Sequence, residues 1–517
     1  MPINVLTMRT RARLCLFSIF FVALLNETAV AADKHVVLVV WDGMRPDFVT
    51  EQNTPTLWNL ARSGVTFRNH HPVYPSATIV NGTALVTGDY PNRDGILANH
   101  LYRPDITNRR SIDVETAPVV RKGDEVSNGK YLGAPTVVEL LHERGEKTAI
   151  ATAKTVGFLF DRRGDGRRGQ HIFAGESLQP DAVQSVVKSL GQFPPATQAA
   201  ERDSWTTKAL TDFMWRDGVP KFSLLWLSEP DDTQHKTAPG APAALAAIKS
   251  SDENLARVLK ALEKYNARST TDIFVVSDHG FSTISREIDV PKILRDAGFD
   301  AVTEFASEPK PGQIMLSGNG GSVLFYVIGH DISTTQRLVE FLQRTDFAGV
   351  IFSHPGFEGT FPPDAAKIES EHAADVVMAF RWTADRNQFG IPGMIDADWQ
   401  RAAGKGTHAT LSRFDMHNTL ITAGPDFQNG LTSDLPSGNV DLTPTILSIL
   451  GIKPTAAMDG RVLAEAMKNP ADLTRKTQTI EATKKFPTGT WHQSLTTSQV
   501  GATIYYDEGG GGFERKP

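Results

Sequence analysis

His35-Val36-Val37-Leu38-Val39-Val40-Trp41, with Asp42 directly behind it, is the stretch on which the fold of this 517-residue chain turns. β-Branched valines favour extended backbone. Apolar side chains at consecutive rather than alternate positions describe a strand buried on both faces. A helix is expected next: Thr54 offers a cap, Pro55 suits the first turn, Leu57, Leu60 and Ala61 form an apolar stripe, and Gly64 ends it. The alternation continues. Residues 136–143 and 243–265 read as helices, the second through Leu245, Ile248, Leu255, Val258, Leu259 and Leu262 at helical spacing. Residues 147–151, 222–227 and 273–276 read as strands. This order predicts an α/β fold, a doubly wound and mostly parallel sheet sandwiched by helices. The pattern changes over 284–404, where Gly318, Gly320 and Gly321 precede an apolar run at 322–327. That stretch is expected to be an inserted subdomain that could cap the site. One further helix is expected over 439–450, capped near Asp441 with Pro444 early in it. The end, from Gly509 to Gly512 onward, reads as a loose tail.

Composition sets outer limits. Apolar residues make up 40% and charged residues 22%, with 8 Trp and 27 Phe, enough for a large core. This excludes a disordered, collagen-like or disulfide-scaffold chain. A net charge of -6 offers no basic surface for general nucleic-acid binding. Arg9, Arg11 and Arg13 precede an apolar run from Leu14 to Leu25, and Ala29 and Ala31 supply small residues behind it. Residues 1–32 are therefore expected to be a secretory signal peptide, the run being short of the ~20 residues a membrane span needs. Export to the periplasm or the medium follows, with no membrane span after cleavage. Cleavage would also remove Cys15, the single cysteine, leaving neither disulfide nor thiolate chemistry.

Acids and histidines fall where such a sheet binds ligands, at the carboxyl ends of its strands. Asp42 follows the first strand. Asp231 and His235 follow 222–227, Asp278 and His279 follow 273–276, and His408 lies in Gly406-Thr407-His408. Each alone is a weak signal, because an Asp behind a strand is commonly a helix cap. Three Asp and three His converging on one sheet edge form an oxygen and nitrogen ligand set without sulfur. That set suits zinc, with manganese or iron as alternatives. Six ligands exceed one tetrahedral site and fit two divalent ions about 4 Å apart.

With these motifs the chain, over roughly 36–463, resembles the type I phosphodiesterase/nucleotide pyrophosphatase family of the alkaline phosphatase superfamily. The family's order of Asp, nucleophile, Asp-x-x-x-His, Asp-His and His is matched by Asp42, Thr78, Asp231 with His235, Asp278 with His279, and His408. Residues 441–445 and 459–463 also look like this superfamily. The resemblance implies an alkaline phosphatase-like catalytic domain over 33–467, interrupted by the insertion, and a C-terminal extension over 468–517. It implies a first metal on Asp42, Thr78, Asp278 and His279, and a second on Asp231, His235 and His408. It makes Thr78, in Tyr74-Pro75-Ser76-Ala77-Thr78, the nucleophile at a helix start, with Thr87 and Ser76 as local alternatives. A hydroxyl attacks phosphorus only when its pKa is lowered, which a metal accomplishes, and a helix N-terminus favours phosphate oxygens. An N-cap role for Thr78 is compatible with this. Asn99 takes the family's role of donating to a phosphoryl oxygen. Asn81 is expected to be a structural hydrogen-bonder. Lys154 could reach a substrate oxygen, though an exposed, solvated lysine is the commoner case.

Departures narrow the reading. Thr78-Ile79-Val80-Asn81-Gly82 is not the C/S-x-P-x-R motif of sulfatases, which disfavours them. Ile79 stands where nucleotide-cleaving members usually carry an aromatic, which weakens the case for a nucleotide. Asp94 stands where many relatives have His and is taken as peripheral. Arg162, Arg163, Arg167 and Arg168 read as a solvated loop, with an anion-greeting loop as the alternative. The implied function is an exported two-metal phosphoric ester hydrolase, cleaving phosphodiester or pyrophosphate bonds of a small substrate through a phosphothreonine intermediate. A phosphomonoesterase or phosphonate hydrolase is the second reading, and an inactive zinc-bearing binding protein the third.

Overall fold

The computed structural model describes residues 1–2, 34–162, 169–176 and 180–516. The expected signal peptide, and Arg163, Arg167 and Arg168, lie outside these residues. The largest sheet has eight strands in the order Leu431–Gly438, Val65–His71, Leu420–Ala423, Thr271–Val276, His35–Trp41, Phe222–Leu227, Thr148–Thr152 and Gly169–Phe173. All run in one direction except Leu420–Ala423, which is antiparallel to both neighbours. The pleat of His35–Trp41 sends Val36, Leu38 and Val40 into one core and Val37, Val39 and Trp41 into the other. Consecutive apolar residues thus serve the two faces in turn, the requirement of a sheet covered on both sides. Helix Pro242–Lys264 packs Ile248, Leu255, Val258 and Leu262 into the second core. Helices Thr78–Thr87, Val137–Glu143 and Leu442–Ile449 cover the first.

Local signals act through specific bonds. Thr136 accepts from the Glu139 N–H and the Glu139 carboxylate accepts from the Thr136 N–H, a reciprocal cap that starts Val137–Glu143. Thr54 does not cap Pro55–Ser63; its hydroxyl donates to the Thr50 carbonyl. The first-turn amides of Thr56 and Leu57 are instead satisfied by Asp252, reaching over from the long helix. Arg162 is no solvated loop residue: its guanidinium is buried against Asp124 and lies 3.1 Å from Glu139.

Residues 284–404 contribute to two smaller sheets. Five strands run in the order Ala301–Val302, Ile314–Gly318, Ser322–Val327, Val376–Phe380 and Ala348–Ser353, the apolar run at 322–327 pairing antiparallel with Ile314–Gly318. Four more run in the order Trp382–Arg386, Pro392–Asp398, Ser282–Ile288 and Gly406–Thr407. The chain ends in an antiparallel sheet of Arg475–Phe486, Gly489–Val500 and Thr503–Arg515. Gly509–Gly512 is therefore strand and not a loose tail. A Cβ on Gly511 would sit 1.9 Å from the Gly349 carbonyl oxygen, so the missing side chain lets this strand lie against Ala348–Ser353.

Candidate metal centre

Three adjacent strands of the large sheet, Phe222–Leu227, His35–Trp41 and Thr271–Val276, are followed within a few residues by Asp231, Asp42 and Asp278. Their parallel register sets the three strand ends side by side, and the short segments behind them carry the carboxylates. Asp42 turns at once into Gly43, whose φ of +69° and neighbours leave no room for a side chain: a Cβ there would lie 3.1 Å from the Asp231 Cβ. The Gly43 N–H donates to Asp278 Oδ1 at 3.0 Å, tying the first strand's turn to the third acid. His235 sits one turn after Asp231 on Asp231–Lys236. His408 follows Gly406–Thr407, and its carbonyl accepts from the Gly321 N–H, so the 284–404 stretch braces its loop.

Asp42, Asp278 and His279 form one compact group, and Asp231, His279 and His408 form another, the donor atoms within each lying within 4.8 Å of one another. His235 adjoins the second, its Nε2 3.2 Å from Asp231 Oδ1. The His279 and His408 rings stack at 3.6 Å between centroids. Each imidazole is oriented through Nδ1: His279 to the Gly280 carbonyl at 2.8 Å, His408 to the Ser76 carbonyl at 2.8 Å and His235 to the Gly406 carbonyl at 3.0 Å. Donation there leaves Nε2 with its lone pair facing the cluster, as metal ligation requires. Thr78 is the first residue of its helix, and its Oγ1 lies 3.1 Å from His279 Nε2 and 3.4 Å from Asp42 Oδ1. It is not a cap; Ala77 holds that position without a side-chain bond, and the Thr78 hydroxyl turns into the cluster.

The donor set fits cations on an independent ground. Asp231 Oδ1 and Asp278 Oδ2 are buried and make no well-aligned hydrogen bond, their nearest nitrogens being His235 Nε2 and His279 Nε2 at 3.2 Å each. A carboxylate oxygen left without a hydrogen bond in the interior is unfavourable, and a divalent cation would satisfy it. Charges are already sorted around them. Burial opposes ionisation of Asp231, but His235 and Lys154 hold its carboxyl well below the usual range. Burial and His279 push His408 well down, so it stays neutral. Burial and Asp42 push Asp278 up to about 8, and against burial Asp278 and Asp42 raise His279 to about 9. Asp278 and His279, which would help hold a cation, would have to give up their protons to it.

Several supporting residues carried no signal of this role in the sequence. The Trp226 indole N–H donates to Asp42 Oδ2 at 2.9 Å, yet within its strand it reads only as core. Phe281 packs its ring 5.0 Å from His235 and 5.3 Å from His408, an apolar wall on the cluster. Lys154 is not exposed; its side chain retains 18% of its accessibility and its Nζ lies 2.9 Å from Asp42 Oδ2 and 2.5 Å from Asp231 Oδ2. Asn99 is half-buried, and its Oδ1 accepts from the Ile79 N–H at 2.9 Å in the first turn of Thr78–Thr87. Asn81 is structural, accepting from the Val73 N–H at 2.7 Å. Asp94 is fully buried and accepts from the Ile96 N–H at 2.8 Å, away from the donor groups.

A family model for type I phosphodiesterase/nucleotide pyrophosphatase matches residues 36–356. The chain belongs to that family. Within it, the chain is 22% identical over 257 residues to a venom phosphodiesterase of Naja atra, covering 48% of this chain and 26% of that protein. It is 22% identical over 255 residues to human ectonucleotide pyrophosphatase/phosphodiesterase family member 5, covering 49% of this chain and 46% of that protein. The matches thus span about a quarter to a half of these relatives' length. The solved structure of murine ectonucleotide pyrophosphatase/phosphodiesterase 5, an inactive threonine-to-alanine form in complex with AMP, superposes with a TM-score of 0.60 at 16% identity. That likeness covers 84% of this chain and 100% of the murine one. The phosphodiesterase-family chain therefore shares the alkaline phosphatase-like fold. Among the described residues no helix is long and apolar enough to cross a membrane.

Proposed function

We propose that the protein is an exported hydrolase of small phosphate diesters or pyrophosphates that works through Thr78. The observation that carries this is the hydroxyl of Thr78, set at a helix start and pressed against Asp42 and His279. Asp42, Asp278, His279 and Thr78 would hold one divalent ion and Asp231, His235 and His408 the other. Two such ions, zinc foremost, lower the pKa of a hydroxyl and neutralise phosphoryl charge when bound. Thr78 Oγ1 attacks phosphorus in line, the bond to the leaving oxygen breaks, and a phosphothreonine forms that water then hydrolyses. Asn99 has committed its Oδ1 to the Ile79 N–H, so its amide N–H₂ remains to donate to a phosphoryl oxygen. The N-terminus of Thr78–Thr87 adds partial positive charge at the same place.

Diesters are favoured over monoesters because a monoester brings an extra negative charge that calls for a cation. Lys154 is held by Asp42 and Asp231 instead. The AMP bound by the murine relative makes a nucleotide derivative the first class to test. Zinc-loaded protein is to be assayed on bis-p-nitrophenyl phosphate and p-nitrophenyl phosphate with and without chelator. The expected result is a higher kcat/KM for the diester, lost with chelator and restored by zinc. A large monoester preference would overturn the diester assignment; turnover that survives exhaustive chelation would overturn the metal centre.

A further inference from the structure

Lys154 joins the two donor groups. It follows strand Thr148–Thr152, which lies beside Phe222–Leu227, itself beside His35–Trp41. Three neighbouring strand ends thus deliver Lys154, Asp231 and Asp42. The two carboxylates divide their oxygens in the same way. Asp42 Oδ1 faces Thr78 and His279, at 3.4 Å from each, while its Oδ2 takes the Trp226 N–H and the Lys154 ammonium. Asp231 Oδ1 faces His235 at 3.2 Å and His408 at 3.6 Å, while its Oδ2 takes the same ammonium. Asp232 Oδ1 lies 3.8 Å from the ammonium, a third carboxylate drawn toward it. The lysine therefore stands behind both groups, leaving their inner oxygens free.

We propose that Lys154 is the internal counter-cation of the metal centre, clamping one carboxylate from each donor group, holding the metal-free cluster together and opposing cation uptake. The proposal rests on the two-cation reading above. Its sign follows from charge. Without ions, Lys154 faces the carboxylates of Asp42, Asp231 and Asp232 and is strongly attracted. With two divalent ions seated, their positive charge offsets the carboxylates and the attraction is weakened. Lys154 stabilises the metal-free state more than the loaded one, so by linkage it weakens metal binding. The chain can thereby fold before it meets a metal.

The test compares wild-type protein with Lys154→Met and Lys154→Arg. Zinc affinity is read by competition with a chromophoric chelator, and thermal midpoints are read with and without zinc. Lys154→Met is expected to bind zinc roughly tenfold or more tightly. Its metal-free midpoint should fall while its zinc-loaded midpoint stays near the wild type's. Lys154→Arg should return both values toward wild type. Should metal-free Lys154→Met fail to fold, Lys154→Gln purified with zinc supplies a second reading: it should surrender zinc to chelator more slowly than wild type. Weaker zinc binding on losing the charge would make Lys154 a mere scaffold for the ligands and overturn the proposal. Unchanged affinity and midpoint would overturn it too and leave Lys154 to the substrate. A wild-type protein that takes up no zinc would instead overturn the two-cation reading itself.

Discussion

At the carboxyl edge of the eight-stranded sheet, Asp42, Thr78, Asp231, Asp278, His279 and His408 meet although they are spread over most of the chain. In the C-terminal sheet, by contrast, each strand pairs with the next across a two-residue turn, Phe486 opposite Gly489 and Val500 opposite Thr503. The first region buries acids and imidazoles, two of them with oxygens that no protein donor satisfies. The second buries Trp491, Tyr505 and Tyr506 and leaves Arg475–Phe486 largely exposed. Its seam is polar: the Tyr505 hydroxyl donates to Asp441 Oδ2 at 2.8 Å, and Arg461 Nε donates to that hydroxyl at 2.9 Å. Reactive geometry is held where the chain has least local freedom to rearrange. Stability is added where local pairing is cheap in sequence separation.

That division can be broken from either side. Thr78→Ala should lower kcat by ~10³-fold or more on the best diester. Its thermal midpoint and zinc content should stay close to wild type, measured by melting and atomic absorption; a large loss of stability would mean that the hydroxyl serves the fold. Gly511→Val should act in the opposite sense, placing a side chain against the Gly349 carbonyl. It should cost about 3 kcal/mol of stability in urea unfolding, with kcat of the folded fraction unchanged. A drop in kcat there would show that the C-terminal sheet reaches the site.

The smallest effect sharpens the boundary between the two regions. His70 is fully buried between Ser437 and Asn439, whose own amide donates to the Asp278 carbonyl at 2.7 Å. Burial pushes the His70 imidazole from 6.5 down to about 3. Between those values the unfolded chain binds the proton that the folded one refuses. Stability therefore falls as pH drops from about 6.5 toward 3, by up to about 1.4 kcal/mol per pH unit. Unfolding midpoints at stepped pH should show this slope in the wild type and a shallower one in His70→Gln.

Much of the fold is legible because it is written in period. The unbroken run at 35–41 shows a two-faced strand, and the 243–265 stripe shows a helix, without reference to any other residue. The site's residues are legible as types behind strand ends. Misreadings arise where meaning depends on distant neighbours. Four glycines in a row, Gly509 to Gly512, look like a tail because glycine carries no packing signal, yet here close approach to Ala348–Ser353 requires its bareness. Lys154 looks solvated because its two partners lie 112 and 77 positions away in the chain. Thr78 reads as a nucleophile for which a cap role is also compatible, and only Asp42 and His279, behind the ends of distant strands, show that its hydroxyl turns inward.

By itself, the amino-acid order determined several strands and helices of the large sheet, that the sheet is covered on both faces, and which side chains have metal-binding chemistry. These follow from short-range periodicity and from side-chain type. Only the tertiary structure decided that Asp42 and Asp231 share one ammonium, that Trp226 bonds to Asp42, and that each donor group keeps a carboxylate oxygen unpaired. Those are properties of juxtaposition: a carboxylate's charge, partners and free lone pairs are set by what lies within a few ångströms, which chain distance does not encode.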